Sequence, residues 1–307
     1  MESDGSGNEI TGTRADQSGN LQCKGNCNYK WKGRCRQDDH LRQSDRRKTT
    51  LSVNIALELA RRGKKVVVFD ADFGLANVEV MLGIRPQYNL LDLIHNNKSM
   101  TEIITQGPEG IGFISGGSGV SELATLDNAS IKLLISELVK LDQMYDVVII
   151  DTGAGITDSV MEFVMMSPEV VLVVTPEPTS ITDSYSLLKV LRRKNSFNPL
   201  YKTIHVVANR VENEAEGAEI FHKIDTVSSK FLNTKLSFLG AVLQDKNASM
   251  AVIEQKPLVQ AYPGTTATKG ICQLVNRLSD DTVEESKKKE GIARVFIDFF
   301  RSKKRIR

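Results

Sequence analysis

Acidic residues close two apolar runs of this sequence, and their positions predict a metal site. Asp151 ends the run DVVIID and precedes the glycine-rich turn TGAGI, while Asp70 and Asp72 close the run KVVVFD. In an open α/β sheet, ligands bind beyond the carboxyl ends of the strands. Carboxylates placed there can hold Mg²⁺ through water, and a glycine turn lets a phosphate approach. Asp70 and Asp72 can bind the metal or orient a water; a solvated strand end is the alternative.

The residues just before the first predicted helix match only the second half of a phosphate-binding loop. Lys48, Thr49 and Thr50 lead into LSVNIALELARRG, as the loop pattern GxxxxGK[ST] leads into its helix. In that pattern the lysine contacts β- and γ-phosphates and the following threonine binds Mg²⁺. Residues 43–47 are QSDRR, so the glycines are missing where backbone N–H groups must wrap a phosphate. No apolar strand precedes the loop, although such a strand is normally central in its sheet.

A change of reading frame restores both missing parts. When the codons are read one nucleotide forward, Cys27 to Asp39 permit AITSGKGGVGKTT, and Gln22 to Asn26 permit SVKVI. The shifted reading therefore contains an apolar strand followed by a complete glycine loop. We predict that residues from 22 to the low forties are read out of frame. The shifted reading already ends in KTT, which residues 48–50 repeat, so the point of re-entry is not defined.

Zinc binding is the competing interpretation of the same segment. Cys23, Cys27, Cys35 and His40 have the side-chain types of zinc ligands, and their neighbours are basic and aromatic. Their spacing matches no common zinc knuckle, whereas the frame change accounts for the cysteines and arginines together. The sequence therefore favours the frame change.

The hydrophobic pattern of the sequence predicts the strands and helices that position these residues. From Lys48 to Ser279, short apolar runs alternate with helical patterns, which is typical of βαβ units around a parallel sheet. We predict an α/β fold with a doubly wound, mostly parallel sheet and helices on both faces. The six predicted strands are 65–70, 111–115, 146–151, 169–175, 203–209 and 237–243.

The chain ends and composition define the remaining parts. We expect 1–47 to be a polar region with little regular structure, 48–279 to be the α/β domain and 280–290 to be a charged linker. Residues 291–307 form an amphipathic pattern, with apolar residues on one face and arginines and lysines beside them, which predicts a helix that lies on an anionic membrane surface. A helix docked on the domain's own core is the alternative. The apolar positions are Ile292, Val295, Phe296, Phe299 and Phe300.

Composition excludes several classes of protein. The chain has 307 residues, of which 40% are hydrophobic and 25% charged, with a net charge of +2. These values exclude a disordered or collagen-like protein, and no apolar run approaches the ~20 residues of a membrane span. Four cysteines are too few for a disulfide framework, so we expect a cytoplasmic protein. The near-neutral charge argues against a nucleic-acid partner.

Three segments resemble a known family. FDADFGLANVEVMLGIRPQYNLLDLI (69–94), DTGAGI (151–156) and TPEPTSITDSYSLLKVL (175–191) are similar to the MinD/ParA-type deviant Walker A ATPases. Within that family they look most like flagellar number and placement regulators of the FlhG (FleN/YlxH) type. The resemblance covers residues 48–279 and implies a P-loop NTPase-like fold, ATP and Mg²⁺ as cofactors, an ATP-dependent homodimer, and peripheral association with the inner face of the cell membrane.

The resemblance also implies roles for individual residues. Asp72 would orient the attacking water, with Lys48 as the second catalytic residue. Asn209 matches an adenine-contacting asparagine, and Asp245 lies where the base is also held. The family's signature lysine is replaced by Gln43.

The metal ligands and the nucleotide residues follow in the same way. Thr49, Asp70 and Asp151 would hold Mg²⁺, and Asp151 matches the Walker B aspartate. Lys48, Thr49 and Thr50 would contact the phosphates.

An N-terminal motif adds a partner to this picture. Asp16, Gln17 and Leu21 match part of DQAxxLR, through which such proteins engage an FlhF-type GTPase; Ser18 and Gln22 depart from the motif. The function implied is an ATPase that regulates flagellar number or placement. Two alternatives stay open: a scaffold that does not bind nucleotide, because the phosphate loop is disrupted, and a ParA-type DNA partitioning ATPase.

Overall fold

The computed structural model describes part of the 307-residue chain. The described residues are 36–72, 77–96, 98–117, scattered positions of 133–141, 143–194 and 202–284. The chain divides into two compact units, residues 1–42 and 43–307. In the first unit only residues 36–42 are described, and they form the beginning of the first helix.

Strands and helices alternate along the second unit. The strands are β1 (Val66–Ala71), β2 (Thr105–Gln106), β3 (Gly112–Ser115), β4 (Val147–Thr152), β5 (Glu169–Val174), β6 (Thr203–Val211) and β7 (Ser237–Leu243). The helices are α1 (Arg36–Arg61), α2 (Asn77–Leu82), α3 (Leu90–His95), α4 (Met100–Ile103), α5 (Asp158–Met166), α6 (Pro178–Arg193), α7 (Glu214–Val227), α8 (Lys246–Ile253), α9 (Leu258–Ala261) and α10 (Thr266–Glu284). Short helical turns lie at Pro108–Gly110 and Ser228–Leu232.

All six predicted strands are present, within one or two residues at their ends. The prediction missed β2, whose two residues are too few to produce a hydrophobic pattern. The expectation of little regular structure in 1–47 is wrong for its last part, because α1 begins at Arg36. Residues 36–47 contain neither glycine nor proline, so nothing in them stops a helix. Helix α10 likewise continues to Glu284, into the predicted linker.

Several predictions fall on residues that the structure does not describe. The motif residues Asp16, Gln17 and Leu21, the part of the predicted out-of-frame segment before Arg36, and the amphipathic segment 291–307 lie outside the described residues. The competing zinc interpretation is affected in the same way, since Cys23, Cys27 and Cys35 are among them. Among the described helices, none combines the length and apolar composition needed to cross a membrane.

The strands are parallel except for β2, which runs antiparallel to β3. Hydrogen bonds join the described strands in two groups, in the orders β2-β3-β1-β4 and β5-β6-β7. Asp70 of β1 lies beside Asp151 of β4 in the strand register. The mostly parallel α/β architecture predicted from the sequence is therefore confirmed, and it brings two of the predicted metal ligands to neighbouring strand ends.

Helices cover both faces of the sheet. In β1, Val66 and Val68 belong to a core cluster that contains the apolar residues of α1, α2 and α10. Val67 and Phe69, which point the other way, pack in a second cluster with α3, α4 and α5. A third cluster packs β5 and β6 against α6 and α7. Each face is thus sealed from water, which explains why the strand sequences are apolar at consecutive positions.

Lys202 fastens the start of β6 to the end of α5. Its Nζ donates hydrogen bonds to the backbone carbonyls of Val164 at 2.8 Å and Met165 at 2.9 Å, and also to that of Ser167. The last carbonyls of a helix have no partner within the helix, so this ammonium group supplies one. The contact holds α5 against the second group of strands.

Replacement of Lys202 by methionine removes these hydrogen bonds while keeping the apolar stem. We expect Lys202→Met to lower the free energy of unfolding by about 1–3 kcal/mol, since the carbonyls lose their donor. Urea denaturation followed by circular dichroism measures the change. Lys223→Met is the matched control, because Lys223 is 58% exposed and pairs only with Glu219 on the surface of α7; a change of a few tenths of a kcal/mol is expected there. Equal losses in both variants would contradict the assignment.

Candidate functional site

Three carboxylates converge at the carboxyl ends of β1 and β4. Asp70 and Asp151 are register partners and are 4% and 2% exposed. Asp72 follows β1 directly, and its backbone N–H donates to Asp70 Oδ1 at 3.1 Å. Asn77 at the start of α2 donates to Asp72 Oδ2 at 3.2 Å, which fixes that side chain. The structure therefore brings Asp70, Asp72 and Asp151 together, as the sequence predicted.

Two hydroxyl groups of helix α1 donate hydrogen bonds to Asp151. Thr49 Oγ1 donates to Asp151 Oδ2 at 2.6 Å, and Ser52 Oγ donates to Asp151 Oδ1 at 2.8 Å. Residues three apart lie on one face of a helix, so both hydroxyls meet the same carboxylate. Thr49 was predicted from the sequence as a site residue, and Ser52 was not. The spacing of the two residues in the helical pattern was the signal that could have revealed it.

Burial raises the pKa values of the two buried carboxyl groups, Asp70 and Asp151. Burial, together with the charge of Asp151, raises the pKa of Asp70 to about 8. Burial also raises the pKa of Asp151, to about 6, against the hydrogen bonds from Thr49 and Ser52 and the charge of Lys48. Two buried carboxylates side by side are unfavourable when both are ionised, so a cation bound between them is favoured. Lys48 is near enough to supply part of that positive charge.

The donor set suits Mg²⁺ bound together with a phosphate, not a cage made by protein alone. The described residues contain no group of three or more His, Cys, Asp or Glu side chains arranged to hold a metal ion. Mg²⁺ keeps several waters and commonly takes only one or two carboxylates plus substrate phosphates. Thr49, Asp70 and Asp151 offer one hydroxyl and two carboxylates at one place. These residues would hold the ion, which would supply positive charge beside a phosphate.

The turn after β4 requires glycine for a steric reason. A Cβ atom on Gly153 would lie 3.1 Å from Asp72 Oδ1, so a side chain there would push against that carboxylate. Gly155 has a φ of +94°, a conformation that residues with a side chain rarely adopt. The TGAGI turn therefore lets Asp72 approach the end of β4.

The phosphate-binding part of the site differs from the sequence prediction. Lys48, Thr49 and Thr50 were predicted to open the first helix, and instead they lie inside α1, which begins at Arg36. Within an α-helix, each backbone N–H donates to the carbonyl four residues earlier. The N–H groups of these residues are therefore not free to wrap a phosphate. The side chains present therefore fit the metal ion of a nucleotide complex, while the backbone N–H groups of Lys48–Thr50 are hydrogen-bonded along α1 in this conformation.

Arg47 of α1 contacts two residues that follow β5. Arg47 Nη1 is 3.1 Å from Glu177 Oε1 and donates to Thr175 Oγ1 at 3.4 Å, directly beyond the end of β5. In the sequence, Arg47 belongs to the segment QSDRR that stands where the loop's glycines are missing. This contact joins residues far apart in the chain, so only the fold reveals it.

The predicted adenine residues lie at the carboxyl ends of the other strand group. Asn209 of β6 is buried, at 6% exposure. Asp245 caps α8 through the backbone N–H of Asn247 at 2.9 Å, and its second oxygen accepts from the N–H of Ala267 at 3.3 Å. The described hydrogen bonds of Asp245 fix helix ends and do not join it to the carboxylate cluster. A role of either residue in binding a base stays a prediction.

A mostly parallel α/β sheet, with buried acidic residues at neighbouring strand ends tied to the helix above them, defines a P-loop NTPase-like nucleotide-binding domain. Residues 43–258 match the family described as CobQ/CobB/MinD/ParA nucleotide binding domain. The chain belongs to this family.

Its relatives include proteins of flagellar and division systems. The chain is 37% identical to the antiactivator FleN of Pseudomonas aeruginosa over 75% of its own length and 81% of that protein. It is 32% identical to the flagellum site-determining protein YlxH of Helicobacter pylori, over 81% and 84% of the two chains. The predicted resemblance is thereby confirmed.

Solved structures of similar fold include septum site-determining proteins. MinD complexed with Mg-ADP from Pyrococcus horikoshii aligns with a TM-score of 0.61 at 20% identity, covering 79% of this chain and 95% of that one. MinD of the MinC:MinD complex from Aquifex aeolicus aligns with a TM-score of 0.59 at 23% identity, covering 79% and 92%. At these identities the comparison establishes the shared fold.

The raised pKa of Asp70 gives the folded chain a dependence on pH. Between the ordinary value of 3.8 and about 8, the folded state holds a proton that the unfolded state has lost. The stability contributed by Asp70 is therefore full below pH 4 and is lost as the pH rises through 8. Asp70→Asn keeps an oxygen acceptor without a charge. Without Mg²⁺, we expect the free energy of unfolding of this variant to exceed that of the parent by several kcal/mol at pH 8, at about 1.4 kcal/mol for each unit by which the pKa is raised, and to match it near pH 4.

Thermal unfolding at several pH values, in EDTA and then in Mg²⁺, measures this difference. Asp183→Asn is the control, since Asp183 is exposed on α6 and makes no described contact with the cluster. Mg²⁺ should narrow the gap by stabilising the parent alone. A gap that is the same at pH 5 and pH 8 would count against a buried, protonated Asp70.

Proposed function

We propose that the chain is a MinD-like ATPase that regulates flagellar number or placement. The observation that carries this proposal is the cluster of Asp70, Asp72 and Asp151, of which Asp70 and Asp151 are buried and Asp151 is hydrogen-bonded to Thr49 of α1, in a chain of the MinD/ParA family. The names of its relatives supply the biological setting: FleN is called an antiactivator and YlxH a flagellum site-determining protein.

The proposal gives each predicted residue a role. Asp151 and Thr49 hold Mg²⁺ with Asp70 beside them, which agrees with the hydroxyl–carboxylate contact of 2.6 Å. Asp72 orients a water, which agrees with its place at the mouth of the cluster beside Gly153. ATP supplies the phosphate that completes the metal's ligands when it is bound.

The cycle proposed for the cell links nucleotide to location. The ATP-bound form is a homodimer on the inner face of the cell membrane, held through residues 291–307, and the form without ATP is a cytoplasmic monomer. One short amphipathic helix binds a membrane weakly, so pairing two of them raises the avidity. An FlhF-type GTPase is the proposed partner, through Asp16, Gln17 and Leu21.

A scaffold that acts without nucleotide is the second candidate, and one observation favours it. Lys48–Thr50 lie inside a continuous α1, and Arg47 is paired with Glu177 beyond the end of β5. In this form the backbone N–H groups of Lys48–Thr50 are hydrogen-bonded within α1 and are not available to a phosphate. Such a protein would keep the binding surface of a flagellar regulator but would not respond to nucleotide.

Sedimentation with anionic liposomes, with and without Mg-ATP, separates the candidates. A cycling ATPase sediments more with ATP than with ADP or without nucleotide, and Thr49→Ala removes that response because the metal loses its hydroxyl ligand. Thr182→Ala is the control, since Thr182 is exposed on α6 and bonds only to Pro178 of its own helix. Liposome binding that ignores nucleotide would instead support the scaffold, in which residues 36–50 stay an unbroken helix. Sedimentation with DNA that requires ATP would instead identify a ParA-type partitioning protein.

Complementation tests the flagellar role by itself. A Helicobacter pylori strain that lacks YlxH should regain its flagellar number and position when it expresses a functional form of this chain. Asp72→Ala should fail to restore them, and Asp183→Ala should succeed. Electron micrographs of single cells give the count. Failure of every form, with normal protein levels, would refute the flagellar assignment.

A further inference from the structure

A basic surface with an exposed aromatic side chain lies where α6 ends and where a turn leads into β7. Residues 192–194 read RRK, and residues 228–235 read SSKFLNTK, so neither segment contains an acidic residue. All of their lysines and arginines are exposed, and Phe231 is 66% exposed. We call this surface the basic patch; its residues are Arg192, Arg193, Lys194, Lys230, Phe231 and Lys235.

A hydrogen bond joins the two segments of the basic patch. Arg192 Nε donates to the backbone carbonyl of Leu232 at 2.9 Å. Leu232 is buried in the same core cluster as Leu191, so the end of α6 lies against the turn. This contact uses one of the five N–H groups of the guanidinium and leaves its charge in place. Cations from two distant segments therefore share one surface.

The turn itself holds Phe231 outside the core. Ser228 Oγ donates to the carbonyl of Thr234 at 2.9 Å, and both of these residues are buried. Between them Asn233 has a φ of +46°, a left-handed conformation that reverses the chain. Lys230 Nζ lies 5.4 Å from the centre of the Phe231 ring. A phenylalanine kept in water carries a cost that burial against an apolar partner removes.

The acidic residues at this end of the sheet leave the basic patch with excess positive charge. Asp225 Oδ1 accepts from the N–H of Leu236 at 3.2 Å, so this carboxylate is occupied at the start of β7. Glu219 is paired with Lys223 at 2.7 Å, and the two charges cancel. Glu169 is exposed at the start of β5 and can offset one of the cations. The patch is thus strongly basic, although the whole chain has a net charge of only +2.

The described chain ends at the same end of the sheet. The N–H of Ala267, at the start of α10, donates to Asp245 just after β7, whereas Arg277 Nη1 donates to the carbonyl of Leu239 near the start of β7 at 2.7 Å. Helix α10 therefore runs antiparallel to β7. From Arg277 it continues to Glu284, which adds about 10 Å and carries it past the start of β7. The turn of the basic patch directly precedes that start.

We propose that the basic patch is a second membrane-binding site, formed by the folded domain itself. Its lysines and arginines lie among anionic lipid headgroups, and Phe231 enters the boundary of the acyl chains. Cations beside an exposed aromatic ring have the composition of surfaces that bind anionic membranes. A strand of nucleic acid is less well matched, because base stacking uses successive aromatic side chains and the patch contains one.

The inference rests on the proposed function, in which residues 291–307 bind the membrane. Residues 285–290 separate that segment from Glu284 and can span about 20 Å when extended. The segment and the basic patch can therefore reach one membrane surface together. Because two linked contacts bind more tightly than either alone, the patch strengthens the weak attachment of a single amphipathic helix.

Sedimentation of the full-length chain with vesicles, without nucleotide, tests the basic patch. The vesicles contain equal parts of phosphatidylglycerol and phosphatidylcholine, or phosphatidylcholine alone. We expect the double variant Lys230→Gln, Lys235→Gln to bind the anionic vesicles at least about tenfold more weakly than the parent, since each cation at such a surface contributes roughly fivefold. The control is Lys256→Gln, Lys269→Gln, which removes two exposed cations after β7 and should bind like the parent. Equal midpoints of thermal unfolding show that both variants fold.

A fluorescence measurement tests whether the aromatic ring enters the membrane. Phe231→Trp adds a tryptophan to a chain whose one natural tryptophan is Trp31. Vesicles that carry brominated acyl chains should quench the emission of this variant more than that of the parent. Phe231→Ser should bind anionic vesicles several-fold more weakly. Binding of Phe231→Trp to the vesicles with no added quenching would overturn the proposal.

Two further comparisons separate the basic patch from the proposed function. Sedimentation is repeated with Mg-ATP, and with the variant Phe296→Ser, Phe300→Ser in the segment 291–307. Weaker binding of the Lys230, Lys235 variant, with no effect of ATP, supports the patch and refutes the ATP-driven cycle. Binding that rises equally with ATP in the parent and in that variant supports the cycle and overturns the patch. Loss of single-stranded DNA binding with vesicle binding intact would also overturn it, because the patch would then serve a nucleic acid.

Discussion

The burial of Asp151 beneath α1 is the interaction on which the site depends. A carboxylate that is 2% exposed loses its hydration, and that loss is tolerable only if donors or positive charges replace the water. Thr49 and Ser52 supply two hydroxyl donors, so the first helix is fixed in rotation and height above β4. The position of α1 decides in turn which apolar residues cover the strands beneath it. One hydrogen-bonded acid thus links the chemistry of the cluster to the packing of the core.

The extent of α1 shows how local preference acts where a loop sequence is missing. A phosphate loop separates a strand from the helix that follows it, because its glycines favour conformations that no helix contains. Residues 36–47 contain no glycine and no proline, and Arg, Gln and Asp tolerate a helix, so the helix continues through them. The consequence is chemical. Backbone N–H groups that would face an anion instead donate hydrogen bonds within the helix. The residues proposed to hold the metal are therefore in place, but a loop that would hold the phosphate is not formed by α1.

The strands and the acidic cluster were predictable because their signals are local. Strands hidden on both faces are written as continuous apolar runs, and an aspartate at the end of such a run can only lie at the sheet's ligand-binding edge. The contact between Arg47 and Glu177 was not predictable, since it joins distant parts of the chain. Ser52 was missed because a serine in a helix is ordinarily solvated. The start of α1 was missed because the expectation rested on polarity, and polarity does not distinguish a loop from an exposed helix.

The cluster also argues for function on energetic grounds. Asp70 and Asp151 are buried side by side, and both have pKa values raised by that burial, so the arrangement costs stability whenever no cation is present. An apolar pair at the same strand positions would pack without this cost, as Val68 and Ile149 do two residues earlier in the same register. Destabilising groups of this kind are found where binding or catalysis requires them. The acids are therefore better explained by binding of a cation, such as the proposed Mg²⁺, than by the packing of the fold.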